Sequence, residues 1–175
     1  MKIDAVYLEN SDLYEQVLLK HLREAKRSID IATATLKDTR IKDRRRVVSI
    51  TRVFEDLVRR GVTIRLLHAS NPSAPFEKQF RNSVLPAHAG FIMRQCKRLH
   101  FKMILIDGTV LYLGSANLTG AGMGMKSEEN RNFEIGFLHK SPEIIAEVSK
   151  FFELIWDGEF CHDCGRRSIC PEHIK

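Results

Sequence analysis

The sequence predicts an α/β domain: a β-sheet covered by helices on both faces. Three observations point there. Strand-like apolar runs alternate with amphipathic helical segments along most of the chain, the pattern of an α/β fold. The run FKMILI, 101–106, is apolar on both faces apart from the cations at His100 and Lys102, as a central strand between helical layers must be. Asp107-Gly108 then separates this run from a second apolar run, a strong two-residue hairpin signal. At 175 residues and 43% hydrophobic content, the chain is long and apolar enough for one well-filled core with a small appendage. The expected division is a domain over 1–157 and a small C-terminal motif over 158–175.

The elements follow in order. Leu13 to Ala25 carries Leu13, Val17, Leu18, Leu22 and Ala25 at helical spacing, with Ser11 or Asp12 as cap. SIDIATATL, 28–36, is rich in β-branched residues and reads as a strand. KDTRIKDRRR, 37–46, has almost no apolar content and reads as an exposed loop. Val47 to Arg60 reads as a helix stopped by Gly61, followed by a strand over 62–69 and a short helix over 76–82. GFIMRQ, 90–95, is a third strand, and the Asp-Gly hairpin comes next. Residues 120–132 are Gly-rich and polar and predict a flexible loop; FEIGFL, 133–138, predicts another strand. A last helix opens at Ser141 or Pro142 and runs to about Trp156, with Ile145, Val148, Phe152 and Ile155 on one face. Phe76, Phe80 and Phe91 belong to the core rather than to a base-stacking surface.

The formal charge of +6 and a pI near 9.3 favour an anionic partner, nucleic acid or an anionic membrane surface. The N-terminus has no uninterrupted apolar segment of the kind a signal peptide needs, and no run approaches a membrane span, so a cytoplasmic protein is expected.

Chemistry concentrates in RLHFKMILIDGTVLYLGSANLT, 98–119. Residues two apart in a strand share a face, so His100 and Lys102 point the same way. After the hairpin Ser115 and Asn117 also share a face. Pairing of the two strands gathers imidazole, ammonium, hydroxyl and carboxamide at one end of the sheet, a receptacle for phosphate. His-x-Lys-x4-Asp followed by Gly-Ser-x-Asn, residues 100–107 and 114–117, resembles the HKD signature of the phospholipase D superfamily. That resemblance implies a mixed sheet between helices and metal-free cleavage of a phosphodiester. It implies a phosphohistidine formed on His100, with Lys102 and Asn117 holding the non-bridging oxygens, Ser115 nearby, and Asp107 in a structural role. The downstream glutamate that orients the histidine is best matched by Glu134, with Glu128 and Glu129 as alternatives in the preceding loop.

One histidine must attack phosphorus while neutral and another must be protonated to release the alcohol. The chain holds one such motif, so a homodimer with two His100 rings facing each other across a two-fold axis is expected, with a bell-shaped pH profile. The substrate is read from charge. Residues 37–65 hold ten basic side chains and four acidic ones, a net of +6 equal to that of the whole chain. Arg44, Arg45 and Arg46, with Arg94, Lys97 and Arg98 ahead of the motif, form the expected phosphate-backbone contacts. Nucleic acid, DNA or RNA, read with little sequence specificity, is therefore preferred over phospholipid; a non-catalytic nucleic-acid-binding module is the reading from another class.

The tail carries Cys161-x2-Cys164-x5-Cys170-x2-His173, four ligands of the right type for a structural zinc, with His162 competing for the fourth position. Cys96 stands alone in sequence and reads as a small packed residue.

Overall fold

The computed structural model describes residues 4–43 and 46–172. Among these the main chain builds a seven-stranded mixed sheet: β1 (Ala5–Glu9), β2 (Ser28–Thr33), β5 (Thr63–His68), β6 (Phe91–Gln95), β7 (Lys102–Ile106), β8 (Val110–Gly114) and β9 (Ile135–His139). The order across it is β1-β9-β8-β7-β2-β5-β6. β2, β5 and β6 run parallel, joined by helical crossovers, and the other pairs are antiparallel. Helices α1 (Ile50–Arg59) and α2 (Ala74–Arg81), with a helix over Leu13–Leu22, cover one face. Helix α3 (Pro142–Trp156) covers the other through Ile145, Phe152 and Trp156. Central strands buried on both sides need apolar residues at every position, which is why Met103, Ile104, Leu105 and Ile106 are all buried.

Five expectations change. The segment 37–46 is not an exposed loop: Arg40–Asp43 (β3) and Arg46–Ser49 (β4) form a separate antiparallel hairpin. Its single apolar residue in β3, Ile41, is fully buried and anchors it to the core. The following helix therefore starts at Ile50, where Ser49 Oγ accepts the Thr51 N–H as cap. The first helix ends at Leu22 and is wound as a π-helix, whose i→i+5 pattern continues as Arg23 N–H donating to Leu18 O. The strand from Ser28 ends at Thr33, and Leu36 bridges to Leu118 instead. The Gly-rich loop is packed in its first half, where Met123 is buried in the core and Gly124 lies against the Asn10 backbone.

Asp107 and Gly108 both have positive φ, 54° and 66°, the geometry of the tight hairpin turn that Asp-Gly supports. A second glycine is required by close approach. A Cβ on Gly136 would lie 2.4 Å from the ring of fully buried Tyr112, whose hydroxyl accepts the Ala116 N–H. Gly136→Ala is expected to destabilise the fold by about 1–3 kcal/mol through overpacking, read as a lower urea midpoint at unchanged slope. A midpoint equal to that of the parent would show that the ring has room to move.

Candidate active site at one end of the sheet

β2 and β7 are antiparallel with Ala32 opposite Met103, so the C-terminal end of β2 and the start of β7 share one edge. The end of β8 joins them, since Lys102 pairs with Gly114. This register gathers the motif. His100 is exposed just ahead of β7, in a segment outside any strand. Lys102 Nζ donates to the His100 carbonyl at 2.6 Å, which bends the lysine back along its own chain and leaves the imidazole open to solvent.

Asn117 is held in one orientation. Its Oδ1 accepts the Thr35 N–H at 3.0 Å and lies 3.3 Å from Thr33 Oγ1. The Thr33 hydroxyl is itself fixed, donating to Thr35 O at 2.8 Å and accepting the Leu118 N–H at 2.9 Å. With the carbonyl end occupied, the amide nitrogen is left as the donor, the polarity a phosphate oxygen requires.

Ser115 Oγ donates to Glu134 Oε2 and accepts the Ile135 N–H at 3.2 Å. Asn132 Nδ2 donates to the other carboxylate oxygen, Oε1, at 3.0 Å. Glu134 is thus engaged by Ser115 and Asn132; among the described residues it makes no hydrogen bond to His100. Glu128 and Glu129 are exposed in the loop.

Asp107 stands at the other end of the sheet, about 17 Å from Lys102 by the rise of the strand. Its carboxylate accepts the N–H groups of Lys26, Arg27 and Ser28, and the Arg27 guanidinium donates to its carbonyl. Partial burial opposes its ionisation. The N–H groups of Arg27, Lys26 and Ser28, with the Arg27 charge, outweigh that, so the carboxyl is held below its usual range. A depressed pKa contributes stability above the unfolded value, near 4, and that stability is lost as pH falls through the folded value. Asp107→Asn is expected to cost about 1–2 kcal/mol at pH 7, discounted for partial exposure. The difference from the parent should shrink toward pH 3; denaturation at both pH values yielding equal offsets would refute the charge argument.

The expected phosphate contacts divide. Arg44 and Arg45 lie outside the described residues. Arg46 sits at the hairpin end beside Asp43, which pairs with Arg23 near the Asp107 end of the sheet, so it is remote from His100. Arg94 packs its guanidinium 4.4 Å above the Trp156 ring and donates to Trp156 O, a structural engagement. Lys97 and Arg98 line a cavity against the tail, with Lys97 Nζ 3.5 Å from Asn71 Oδ1 and Arg98 exposed.

The tail docks on the segment that leads into His100. Gln95 N–H donates to Glu172, and Arg166 donates to Lys97 O. Cys161, Cys164 and Cys170 are half-buried free thiols, and His173 lies outside the described residues. Among the described residues no three ligand-type side chains gather closely enough to hold a metal.

The profile of the family described as "Cardiolipin synthase, PLD-like domain" matches residues 18–156, over three quarters of the chain and all of the motif. The chain belongs to the phospholipase D-like domain family. It carries a single HKD motif, His100 to Asp107. Solved structures agree on the fold. Nuc from Salmonella typhimurium, a phospholipase D family member, matches with a TM-score of 0.64 at 17% identity, covering 87% of this chain and 95% of that one. NucT from Helicobacter pylori matches with a TM-score of 0.60 at 16% identity, covering 87% and 94%. TrmBL2, an archaeal chromatin protein, matches with a TM-score of 0.55 at 15% identity, covering 87% of this chain and 51% of that one. No curated protein matches by sequence. Within this family frame, the residues that sequence reasoning missed are Thr33 and Thr35, which set the Asn117 amide, and the Tyr112–Gly136 contact beneath the Ser115 loop. The alternating threonines of SIDIATATL were the available signal.

Proposed function

We propose that the protein is a phosphodiesterase that cleaves nucleic acid through a phosphohistidine on His100, in a homodimer whose two motifs meet in one site. The observation that carries this reading is the fixed Asn117 amide beside Lys102 with the exposed His100 imidazole at the same sheet edge. Lys102 leaves the His100 carbonyl to meet a non-bridging oxygen, and Asn117 Nδ2 donates to the same phosphate. The His100 nitrogen bonds to phosphorus as the P–O bond to the leaving alkoxide breaks. The second protomer's His100 gives that alkoxide its proton, then takes one from water, whose oxygen attacks phosphorus and frees the first histidine. Ser115 and Glu134, hydrogen-bonded to each other, border this space.

Substrate class rests on charge. The net +6 suits a polyanion, and among the described residues no helix is long and apolar enough to cross a membrane. The deciding assay incubates the protein with single- and double-stranded DNA, RNA and phospholipid vesicles in magnesium-free buffer containing EDTA. Nucleic acid cleavage is expected. Turnover of lipid alone would move the reading to a phospholipase or phosphatidyl transferase. Tight DNA binding without cleavage would leave a binding module.

A further inference from the structure

All four cysteines of the chain line a single cavity of about 260 Å³. Three come from the tail, and the fourth is Cys96, more than sixty residues earlier. Cys96 follows β6 on a fixed backbone: its N–H donates to His68 O at 2.8 Å and its carbonyl accepts the Leu99 N–H at 3.0 Å. Across the cavity, Cys161-x2-Cys164 forms a tight turn in which the Cys164 N–H donates to Cys161 O at 3.3 Å. Cys170 Sγ lies 3.8 Å from the carbonyl oxygen of Gln95, the residue next to Cys96. Ile155, Trp156 and Phe160 form the apolar wall.

We propose that Cys96, Cys161, Cys164 and Cys170 are the ligand set of one structural zinc ion, with Cys96 in the place that sequence spacing assigns to His173. The chemistry fits. Four thiolates fill a tetrahedral sphere and leave no open position, so the ion has a structural and not a catalytic role. Zinc with four thiolates carries a net charge of −2, and Arg98 and Arg166, which line the cavity, offset it. The sulfurs line the cavity without sharing one coordination sphere, so binding draws the tail turn and Cys96 together. Each thiol gives up its proton as its Zn–S bond forms. The ion then ties the tail to the segment four residues ahead of His100. The inference is independent of the phosphodiesterase reading, because its test measures metal and not activity.

The full chain, purified under reducing conditions and stripped of metal, is titrated with Zn²⁺ and with Co²⁺. One equivalent of zinc should bind, with proton release and with slower amide exchange over residues 94–99 and 158–172. The cobalt form should show thiolate charge-transfer and tetrahedral d–d bands of four-sulfur intensity. Cys96→Ser should weaken binding by at least about a hundredfold and shift the cobalt spectrum to three sulfurs, while His173→Ala matches the parent. Cys161→Ser serves as a second ligand variant should Cys96→Ser fail to fold. The proposal is overturned if the parent binds no stoichiometric zinc or assembles iron and sulfide instead. It also fails if Cys96→Ser keeps the parental spectrum, or if His173→Ala loses a ligand.

Discussion

His100→Ala is expected to lower the rate of phosphodiester cleavage by at least about a thousandfold while leaving the fold intact. The imidazole is exposed, and among the described residues only the backbone carbonyl of His100 is engaged, by Lys102 Nζ. Removing an exposed side chain changes stability by about half a kilocalorie per mole or less, so lost activity would report chemistry. The shared-site mechanism has a sharper consequence. If both attack and proton donation need a His100, one from each protomer, a mixed dimer of parent and variant has no complete site. Activity in reassociated mixtures should then fall with the square of the parental fraction. A linear fall would mean that each protomer works alone, and a residual rate within tenfold of the parent would remove His100 from the nucleophile role. The rate of the parent should be bell-shaped in pH, because one histidine must be neutral to attack phosphorus and the other protonated to release the alcohol.

The second large effect is on stability. Arg65 on β5 lies between two carboxylates, Asp30 of β2 and Glu153 of α3. Its Nε and Nη2 donate to the two Asp30 oxygens at 2.7 and 2.9 Å, and Nη1 and Nη2 donate to the two Glu153 oxygens at 2.8 and 2.6 Å. The rings of Phe152 and Trp156 lie 5.1 and 5.3 Å from the guanidinium carbon. This one side chain therefore fastens α3 to β5 and β2. Asp30 is the more buried partner, 14% exposed against 43% for Glu153. Arg65→Met keeps an apolar stem but strands the Asp30 carboxylate, whereas Glu153 can turn to water. A loss of about 2–4 kcal/mol is expected, below the cost of breaking a fully buried pair because the cluster is partly hydrated. For a chain of this size that is a fall in melting temperature of roughly 5–12 °C. Adding Asp30→Asn to Arg65→Met should recover part of it. The Glu153 carboxyl is held below the usual range by its hydrogen bond to Arg65, against the opposing effect of burial. Its contribution is thus present at neutral pH and fades as pH drops below about 4, so parent and variant should converge in acid. A variant within half a kilocalorie of the parent at pH 7 would show that the rings alone hold α3.

The motif was legible because it is local. Lys102 opens one strand of a hairpin, His100 stands just ahead of it and Ser115 and Asn117 just beyond the other strand, so two apolar strands joined at an Asp-Gly turn are enough to bring them to one end of a sheet. Asp107 was legible as structural only through the family resemblance; its partners, the Lys26–Ser28 amides, are 79–81 residues away. The β3–β4 hairpin was missed because Ile41 is the one apolar residue over 37–46, among side chains that are polar and mostly charged, and because Val47 and Val48 of β4 read as the start of the helix that follows. The packed half of the Gly-rich loop was missed because its glycines mark close backbone approach to Asn10 as readily as freedom. Arg46 and Arg94 read as part of a phosphate track because charge along a sequence carries no direction; in the fold one is remote from His100 and the other lies on Trp156.

By itself, then, the sequence determined the α/β class, the two-sided burial of the central strand, the Asp-Gly turn and the gathering of Lys102, Ser115 and Asn117 at one end of the sheet. Each follows from spacing over a few residues and from the apolar period. Tertiary structure alone decided which way the Asn117 amide faces, that Glu134 meets Ser115, that Arg65 clamps α3, and that Cys96 shares a cavity with the tail. The reason is physical: these contacts join residues brought together by sheet register and crossover helices, and register is a property of paired strands that no single strand contains.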